Sequence, residues 1–169
     1  KYLIRLLIMK NLILVRHAKS SWEVPVQDKD RGLTTQGIND AHLVSNEIKN
    51  RVPKTYLIFS STAKRASNTA LIFAQNFAYP LESIIYKEDL YTFDENKLEK
   101  FIRSFSNTCE TVILFGHNGA ITDFVNKFGD IFIENVPTSG FVHMKFKTDD
   151  WNLINRGSVK RTIFPKNLR

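Results

Sequence analysis

Short apolar runs alternate with longer amphipathic segments along most of the chain. Residues 11–16 and 111–116 are rich in leucine, isoleucine and valine, which predicts buried strands. Shorter apolar runs predict two more strands, at 56–59 and around 83–86. Between the strands, apolar residues spaced to line one face predict helices over about 35–51, 63–78, 95–106 and 118–128. This alternation of strand and helix favours a parallel α/β sheet.

The pattern changes after Gly129. Residues 141–146 alternate between apolar and polar side chains, which is typical of a half-exposed strand. We expect residues 151–156 to form its partner strand. We also expect His143, within the alternating strand, and His42, on the first helix, to be surface or edge residues. The predicted fold class is a three-layer α/β/α sandwich whose sheet is mostly parallel, with an antiparallel edge.

The first residues stand apart from this pattern. Residues 1–8 are mostly apolar but lack the length and the cleavage site of a signal peptide. Met9 and Lys10 then open the first strand in the way many cytoplasmic chains begin. We therefore expect residues 1–8 to be an extension that is not native, and residues 9–169 to form a single domain.

Composition sets the context without selecting a function. The 169 residues are 43% hydrophobic and 24% charged, as in an ordinary soluble protein, and no apolar run approaches the roughly 20 residues that span a bilayer. The net charge of +7 favours acidic partners such as phosphates, but the sequence carries no nucleic-acid-binding motif. Cys109 is the single cysteine and cannot form an internal disulfide, so we expect a cytoplasmic protein. The sequence does not predict an oligomeric state.

The residues that could carry chemistry follow the two buried strands. Arg16 and His17 come at the end of the first strand, and His117 follows the second. Because ligands bind outside the carboxyl ends of parallel strands, neighbouring strands would bring both imidazoles to one crevice. Arg65 lies in the first turn of the predicted 63–78 helix, where backbone N–H groups also attract anions.

These residue types suit phosphoryl transfer. Neutral imidazole is a competent nucleophile towards phosphorus, and guanidinium groups match phosphate oxygens bidentately. We expect His17 to be the nucleophile and no metal or cofactor to be needed, with the phosphoryl group bound by Arg16, Arg65 and His117. Taken singly, each residue is more often structural. A metal site from the two histidines is disfavoured because neither has a carboxylate or cysteine at ligand spacing.

Four short motifs occur in order along the chain. Residues 14–20 read LVRHAKS, residues 30–37 DRGLTTQG, residues 60–70 SSTAKRASNTA and residues 115–119 FGHNG. They resemble the R-H-G, L-T-x-x-G, S-S-x-x-x-R-A-x-x-T-A and G-H-x-x motifs of the histidine phosphatase superfamily (phosphoglycerate-mutase-like). Together they cover about residues 12 to 125.

The resemblance implies a phosphoglycerate-mutase-like fold and assigns roles by position. His17 falls at the histidine that becomes phosphorylated. Arg16 and Arg65 fall at the phosphate-binding arginines, and His117 at the second histidine that contacts the phosphoryl group. Ser20 occupies the position of the serine in the family's R-H-G-x-S variant and is a candidate phosphate ligand.

The sequence departs from the family pattern at three places. Ala18 replaces the usual glycine beside the nucleophile, where the backbone often relies on glycine's freedom. Glu23 replaces an asparagine that some branches carry. In residues 86–95 no side chain clearly matches the acid that protonates the leaving oxygen in mutases and many phosphatases. Glu88 and Asp89 are the candidates for that role.

The missing acid bears on the substrate. An alkoxide leaving group gains about 10²–10⁴-fold from a general acid, whereas a phosphohistidine leaves as an imidazole whose conjugate acid has a pKa of about 6.5. The short chain and its D-R-x-L segment also resemble the bacterial branch related to the protein-histidine phosphatase. We therefore expect a phosphatase acting on phosphohistidine protein or another activated phosphoryl substrate. The alternatives are a small-molecule phosphomonoesterase or mutase, and a catalytically silent phosphate-binding regulatory module.

Overall fold

A six-stranded sheet runs through the centre of the computed structural model, which describes residues 8–169. The elements in chain order are β1 (Lys10–Arg16), α1 (Thr35–Ile48), β2 (Leu57–Ser61), α2 (Lys64–Asn76), β3 (Ile85–Lys87), α3 (Glu95–Arg103), β4 (Thr111–Gly116), α4 (Ala120–Phe128), β5 (Phe141–Phe146) and β6 (Ser158–Ile163). The extension expected at residues 1–8 lies, apart from the half-exposed Ile8, outside the described residues.

The order of the strands places the residues that follow β1 beside those that follow β4. Across the sheet the order is β3-β2-β4-β1-β5-β6. The first four strands are parallel, β5 runs antiparallel to β1, and β6 runs antiparallel to β5. The predicted mostly parallel sheet with an antiparallel edge is therefore confirmed. Arg16 at the end of β1 lies opposite Gly116 at the end of β4, so the residues that follow both strands meet at one edge of the sheet.

Helices cover both faces of the sheet and confirm the three layers. Alternate side chains of β1 and β4 point to opposite faces, as the period of a strand requires. One face packs against α1 and α2 and the other against α3 and α4, in two separate apolar clusters. Each buried leucine, isoleucine or phenylalanine stabilises the fold by about 1.5–3 kcal/mol, so the strands that carry the site are rigidly held.

The helices begin and end within about three residues of their predicted positions. The longest, α1, has 14 residues. In the described part of the chain no helix is both long and apolar enough to cross a membrane.

The partner strand predicted at 151–156 is wrong. Trp151 instead begins a short 3-10 turn, and the partner of β5 is β6, further along the chain. The Trp151 side chain is fully buried, and its ring N–H donates to the Cys109 carbonyl at 2.7 Å. Burying this indole against the loop before β4 takes the segment away from the sheet, which sequence alternation alone could not show.

The prediction that His143 is a surface or edge residue is also wrong. Its side chain is 1% exposed, because β5 lies inside the sheet between β1 and β6. Its Nε2 lies 2.8 Å from Oδ1 of Asn11 on β1. Burial lowers the pKa of His143 to about 4, so this histidine is a neutral part of the interior. His42 is half-buried on α1, beside Asn76 of α2.

Candidate active site

His17 and His117 lie next to each other at the ends of two neighbouring strands. His17 directly follows β1, and His117 directly follows β4. Their ring centroids are 5.2 Å apart, with the planes tilted by 52°. The His17 amide also donates to the Gly116 carbonyl at 3.0 Å, which continues the pairing of the two strands up to the imidazoles. The structure thus brings together the two histidines that the sequence singled out.

The hydrogen bond at Nδ1 of His17 determines which ring nitrogen is free. Nδ1 lies 2.8 Å from the Ala18 carbonyl oxygen, which can only accept, so Nδ1 carries the proton and Nε2 keeps its lone pair. The Ala18 amide donates to Oγ1 of Thr69 at 2.9 Å, and that hydroxyl donates to the Arg65 carbonyl at 2.7 Å. Ala18 does not adopt a positive φ, so its methyl group in place of the usual glycine hydrogen causes no backbone strain.

Both imidazoles are neutral at neutral pH. Burial away from water, followed by the charges of Arg65 and Arg16, lowers the pKa of His17 to about 4. Burial, the neighbouring His17 and Arg65 lower the pKa of His117 to about 3. An imidazole attacks phosphorus only in its neutral form, and the site keeps His17 in that form.

Two arginines supply positive charge around the imidazoles. Arg16, at the end of β1, donates from Nη1 to the Val136 carbonyl at 2.9 Å. Arg65, in the first turn of α2, is 1% exposed and donates from Nη1 to the Asp28 carbonyl at 2.7 Å. In both side chains Nε is buried without a hydrogen-bond partner among the described residues. Buried donors are ordinarily paired, so these two N–H groups indicate a place for an acceptor such as a phosphoryl oxygen.

His117 is oriented as a donor by the second serine of its neighbouring motif. Its Nε2 lies 2.8 Å from Oγ of Ser61, which itself accepts the Ala63 amide at 3.1 Å. Among the described residues Nε2 is the acceptor found for the Ser61 hydroxyl proton, so we assign Ser61 as the donor and place the proton of His117 on Nδ1. That Nδ1 is buried and unpartnered in the described residues, so it too can donate to an anion. We call Arg16, His17, Arg65 and His117 the floor of the site.

Asp28 is a residue of the site that the sequence reasoning missed. Its carboxylate accepts from Nη2 of Arg65 at 3.0 Å, from Nε of Arg31 at 3.2 Å and from the Tyr91 hydroxyl. The Tyr91 hydrogen bond first, and then Arg65, lowers the pKa of Asp28 to about 2. The carboxylate is thus ionised and binds the Arg65 guanidinium through Nη2. The only sequence signal was the charged run at residues 28–31, which resembles an ordinary polar loop.

Ser20 contacts an arginine. Its Oγ accepts from Nη1 of Arg31 at 2.7 Å, and a single β-bridge joins Ser20 to Leu33. The structure therefore ties Ser20 to the loop that carries Asp28. Its direct contact with a phosphate stays a prediction.

Aromatic rings stand at the opening of the site. Tyr91 and Phe93 lie against His117, with ring centroids 5.3 Å and 5.4 Å from it. Phe93 is 55% exposed. On the loop that carries Asp28, the exposed Trp22 stacks on the Arg31 guanidinium, whose Cζ lies 3.5 Å from the ring centroid. Neither loop showed a sequence signal for these contacts.

The two acid candidates from the sequence lie outside the floor. Glu88 is exposed, and its Oε2 accepts from Lys29 at 2.7 Å and from Thr62 at 2.5 Å. The Lys29 hydrogen bond first, and then Thr62, lowers the pKa of this carboxyl. Asp89 is exposed on the same short turn. We call the side chains that surround the opening the rim, namely Trp22, Asp28, Lys29, Glu88, Tyr91 and Phe93.

Close packing requires a glycine at position 37, in the second motif. A Cβ on Gly37 would lie 2.3 Å from the Lys19 carbonyl oxygen, far inside contact distance. The same oxygen accepts the Thr34 amide at 2.9 Å, and the Thr34 hydroxyl caps α1 through the Gly37 amide at 2.9 Å. The start of α1 is therefore packed directly onto the chain two residues beyond His17, which helps to hold His17 in place.

Taken together, the floor offers a neutral imidazole with a free Nε2, surrounded by unpartnered donors from two arginines and a second imidazole. Such a site can accept a tetrahedral anion and neutralise charge on its oxygens. Within residues 8–169 no three histidine, cysteine, aspartate or glutamate side chains are grouped as a metal site would require.

Comparison with known structures shows the same fold. A candidate phosphohistidine phosphatase SixA from Agrobacterium tumefaciens superposes with a TM-score of 0.77 at 24% identity, covering 92% of this chain and 98% of its own. A protein histidine phosphatase SixA complexed with tungstate gives a TM-score of 0.80 at 18% identity, covering 94% and 99%. At these identities the likeness establishes the phosphoglycerate-mutase-like fold.

Comparison of sequences establishes the family. An uncharacterized protein of Mycobacterium leprae is 30% identical over 112 residues, which are 64% of this chain and 66% of that protein. The chain thus matches just under two thirds of that relative's length. The model of the histidine phosphatase superfamily (branch 1) matches residues 12–101, more than half of the 169 residues. The chain therefore belongs to the histidine phosphatase superfamily, branch 1.

Proposed function

We propose that the protein is a metal-independent phosphatase that works through phosphorylation of His17. The observation that carries the proposal is the free Nε2 of a neutral His17 whose Nδ1–H is held by the Ala18 carbonyl at 2.8 Å. In the first step Nε2 bonds to phosphorus as the bond to the leaving group breaks. Water then attacks the phosphohistidine, which releases phosphate and restores the imidazole.

Three floor residues stabilise the phosphoryl group during its transfer. Arg16 and Arg65 contribute guanidinium N–H groups, and His117 contributes Nδ1–H. Because the charge in this transition state is spread over three oxygens, preorganised donors supply most of what the reaction needs. The positive charges of Arg16 and Arg65 neutralise charge on the phosphoryl oxygens, which is the role of the metal ion in metal-dependent phosphatases.

The substrate we propose is a phosphohistidine in a protein, or another phosphoryl group with a good leaving group. The carboxylates nearest the floor support this choice. The pKa of Asp28 is about 2 and that of Glu88 is lowered, so neither holds a proton at neutral pH to give to an alkoxide. A phosphohistidine ring needs no proton from the enzyme, because its other nitrogen can be protonated by solvent near neutral pH, and the ring then leaves as neutral imidazole. The fold shared with a protein histidine phosphatase is consistent with the proposal.

Rapid-quench labelling tests the mechanism. With radiolabelled phosphoramidate, wild-type protein should form an acid-labile, base-stable phosphoenzyme in the presence of excess EDTA. His17→Ala should form none, while His42→Ala, which removes a half-buried histidine beside Asn76 of α2 and outside the floor, should label normally. Persisting label in His17→Ala, or loss of label with EDTA, would overturn the proposal.

A substrate panel tests the choice of substrate. Phosphohistidine in a peptide should be turned over faster than sugar phosphates or phosphoglycerates. Faster turnover of the esters, with a bell-shaped pH profile that depends on Glu88 or Asp89, would instead identify a phosphomonoesterase. Tight phosphate binding without turnover of any substrate would identify the silent binding module.

A further inference from the structure

Phe93 is an exposed aromatic ring in direct contact with a floor residue. Its ring meets His117 edge-on, at 67° and 5.4 Å between centroids. Tyr91 packs against it at 6.0 Å and is itself anchored through its hydroxyl to Asp28. More than half of the Phe93 surface, 55%, remains open to solvent. The ring is thus fixed on its inner side and free on its outer side.

The direction of the reaction brings the leaving group to this ring. In phosphoryl transfer the attacking and leaving atoms lie roughly in line across phosphorus. His17 attacks from the floor, so the leaving group points towards the opening. In the proposed function Nδ1–H of His117 holds the phosphoryl group beside that imidazole, and of the two rings at the opening that contact His117, Tyr91 and Phe93, Phe93 is the exposed one. A leaving group on its way out therefore passes the open side of Phe93.

We propose that Phe93 is a specificity-determining residue that packs against the leaving group and favours a heteroaromatic ring, such as the imidazole of phosphohistidine. This inference rests on the proposed function. In the step concerned, the substrate P–N bond breaks and its electron pair stays on the departing ring nitrogen. Nε2 of His17 forms the new bond to phosphorus. The ring is protonated from solvent on its other nitrogen before transfer, as an imidazole with a pKa of about 6.5 can be near neutral pH, and so departs as neutral imidazole.

Trp22 does not offer the same contact. One face of its indole is covered by the Arg31 guanidinium at 3.5 Å, so it belongs to the arginine side of the opening. Phe93, by contrast, presents an uncharged ring next to the phosphoryl position. Aromatic rings prefer edge-to-face or offset contacts with one another, and these contribute beyond the area that they bury.

Two substrates with the same type of bond isolate the contribution of the ring. Phosphoimidazole and phosphoramidate both contain a P–N bond, but the second releases ammonia, which is too small to reach a side chain at the opening. For Phe93→Ala we expect kcat/KM on phosphoimidazole to fall about three- to tenfold, in the range of measured aromatic contacts. On phosphoramidate it should change less than twofold, and Phe93→Leu should lose an intermediate amount on phosphoimidazole.

Hydrolysis of the phosphoenzyme provides an internal control, because the leaving group has gone by then. Its rate should be the same in wild type and both variants. Phe132→Ala serves as the matched surface control, since Phe132 is 81% exposed on the loop between α4 and β5. Thermal unfolding shows whether each variant is folded. If Phe93→Ala does not fold, Phe93→Leu is used for the comparison of the two substrates.

Each contrary outcome has a distinct meaning. Equal losses on both substrates would show that Phe93 only supports His117, and no change on either would show that the ring does not touch the leaving group. Both results overturn this inference and leave the phosphatase mechanism standing. A wild-type protein that forms no phosphoenzyme from either substrate would overturn the proposed function itself.

Discussion

The floor and the rim of the site are held in different ways. The floor residues lie at the ends of β1 and β4 and in the first turn of α2. His17, Arg65 and His117 are at most 8% exposed, and Arg16 is half-buried. The rim lies on two loops, which are joined chiefly by side chains. Lys29 pairs with Glu88 at 2.7 Å, and Asp28 accepts from Tyr91.

The difference separates the chemistry from the choice of substrate. Main-chain pairing and a packed core fix the floor, so its imidazoles and guanidiniums need no reorganisation when charge develops. The rim depends on exposed pairs, which contribute little to stability and can change without disturbing the sheet. Substitutions in the floor should therefore affect the reaction itself, and substitutions in the rim should affect which substrate is used and how phosphate leaves.

The largest effect is expected for Arg65→Ala. It removes a buried guanidinium that the phosphoryl oxygens would meet, and kcat/KM should fall about 10³-fold. Arg51→Ala is the matched control, because Arg51 is exposed and pairs with Glu47 on the surface of α1. Steady-state kinetics on phosphoramidate measure both. A loss below tenfold for Arg65→Ala would mean that the floor does not work as described.

The pH dependence tests the neutral state of the floor. In the proposed mechanism only neutral His17 attacks, and burial is the main reason that its pKa is lowered to about 4. The rate of phosphoenzyme formation should therefore stay level as pH falls from 7 to about 5, and then drop about tenfold per unit below 4. Brief pH jumps, with circular dichroism as the check on folding, provide the profile. A midpoint near 6.5 would show that the site does not shift this imidazole.

Asp28→Asn tests the contact between the rim residue Asp28 and the floor residue Arg65. The substitution keeps the shape of the side chain but removes a negative charge bonded to Arg65. The floor becomes more positive, so inhibition by phosphate should tighten by about three- to tenfold. Asp30→Asn, on the same turn but exposed, should leave the phosphate inhibition constant unchanged. Weaker phosphate inhibition in Asp28→Asn would mean that the carboxylate mainly positions Arg65.

The smallest effect is expected for Glu88→Gln. The carboxylate is exposed and bonds to Lys29 and Thr62, neither of which belongs to the floor. Turnover of phosphoramidate and its pH profile should change less than about twofold. Loss of the alkaline or acidic limb of the profile would make Glu88 a proton donor after all, and would favour phosphoester substrates.

The same contrast explains what the sequence could predict. The floor was predictable because each of its residues follows a buried strand or begins a helix, where position along the chain decides position in space. Asp28 and Tyr91 are 63 residues apart, and their contact depends on the path of two loops that carry no periodic pattern. Phe93 gave no signal for the same reason.

The errors in the fold have a related cause. The alternation in residues 141–146 describes a strand with one polar face, but whether that strand lies at the edge depends on β6, which comes later in the chain. His143 was therefore placed at the surface. Trp151 looked like part of a strand, and only its burial beside Cys109 removes it from the sheet.

Locating the phosphoryl group on the trapped enzyme tests the central claim most directly. Wild-type protein would be quenched during turnover, digested, and the labelled residue identified by mass spectrometry and by the ³¹P chemical shift. The hydrogen bond from Nδ1 to Ala18 predicts that the phosphoryl group lies on Nε2 of His17. A phosphoryl group on Nδ1 of His17, or on His117, would contradict the mechanism.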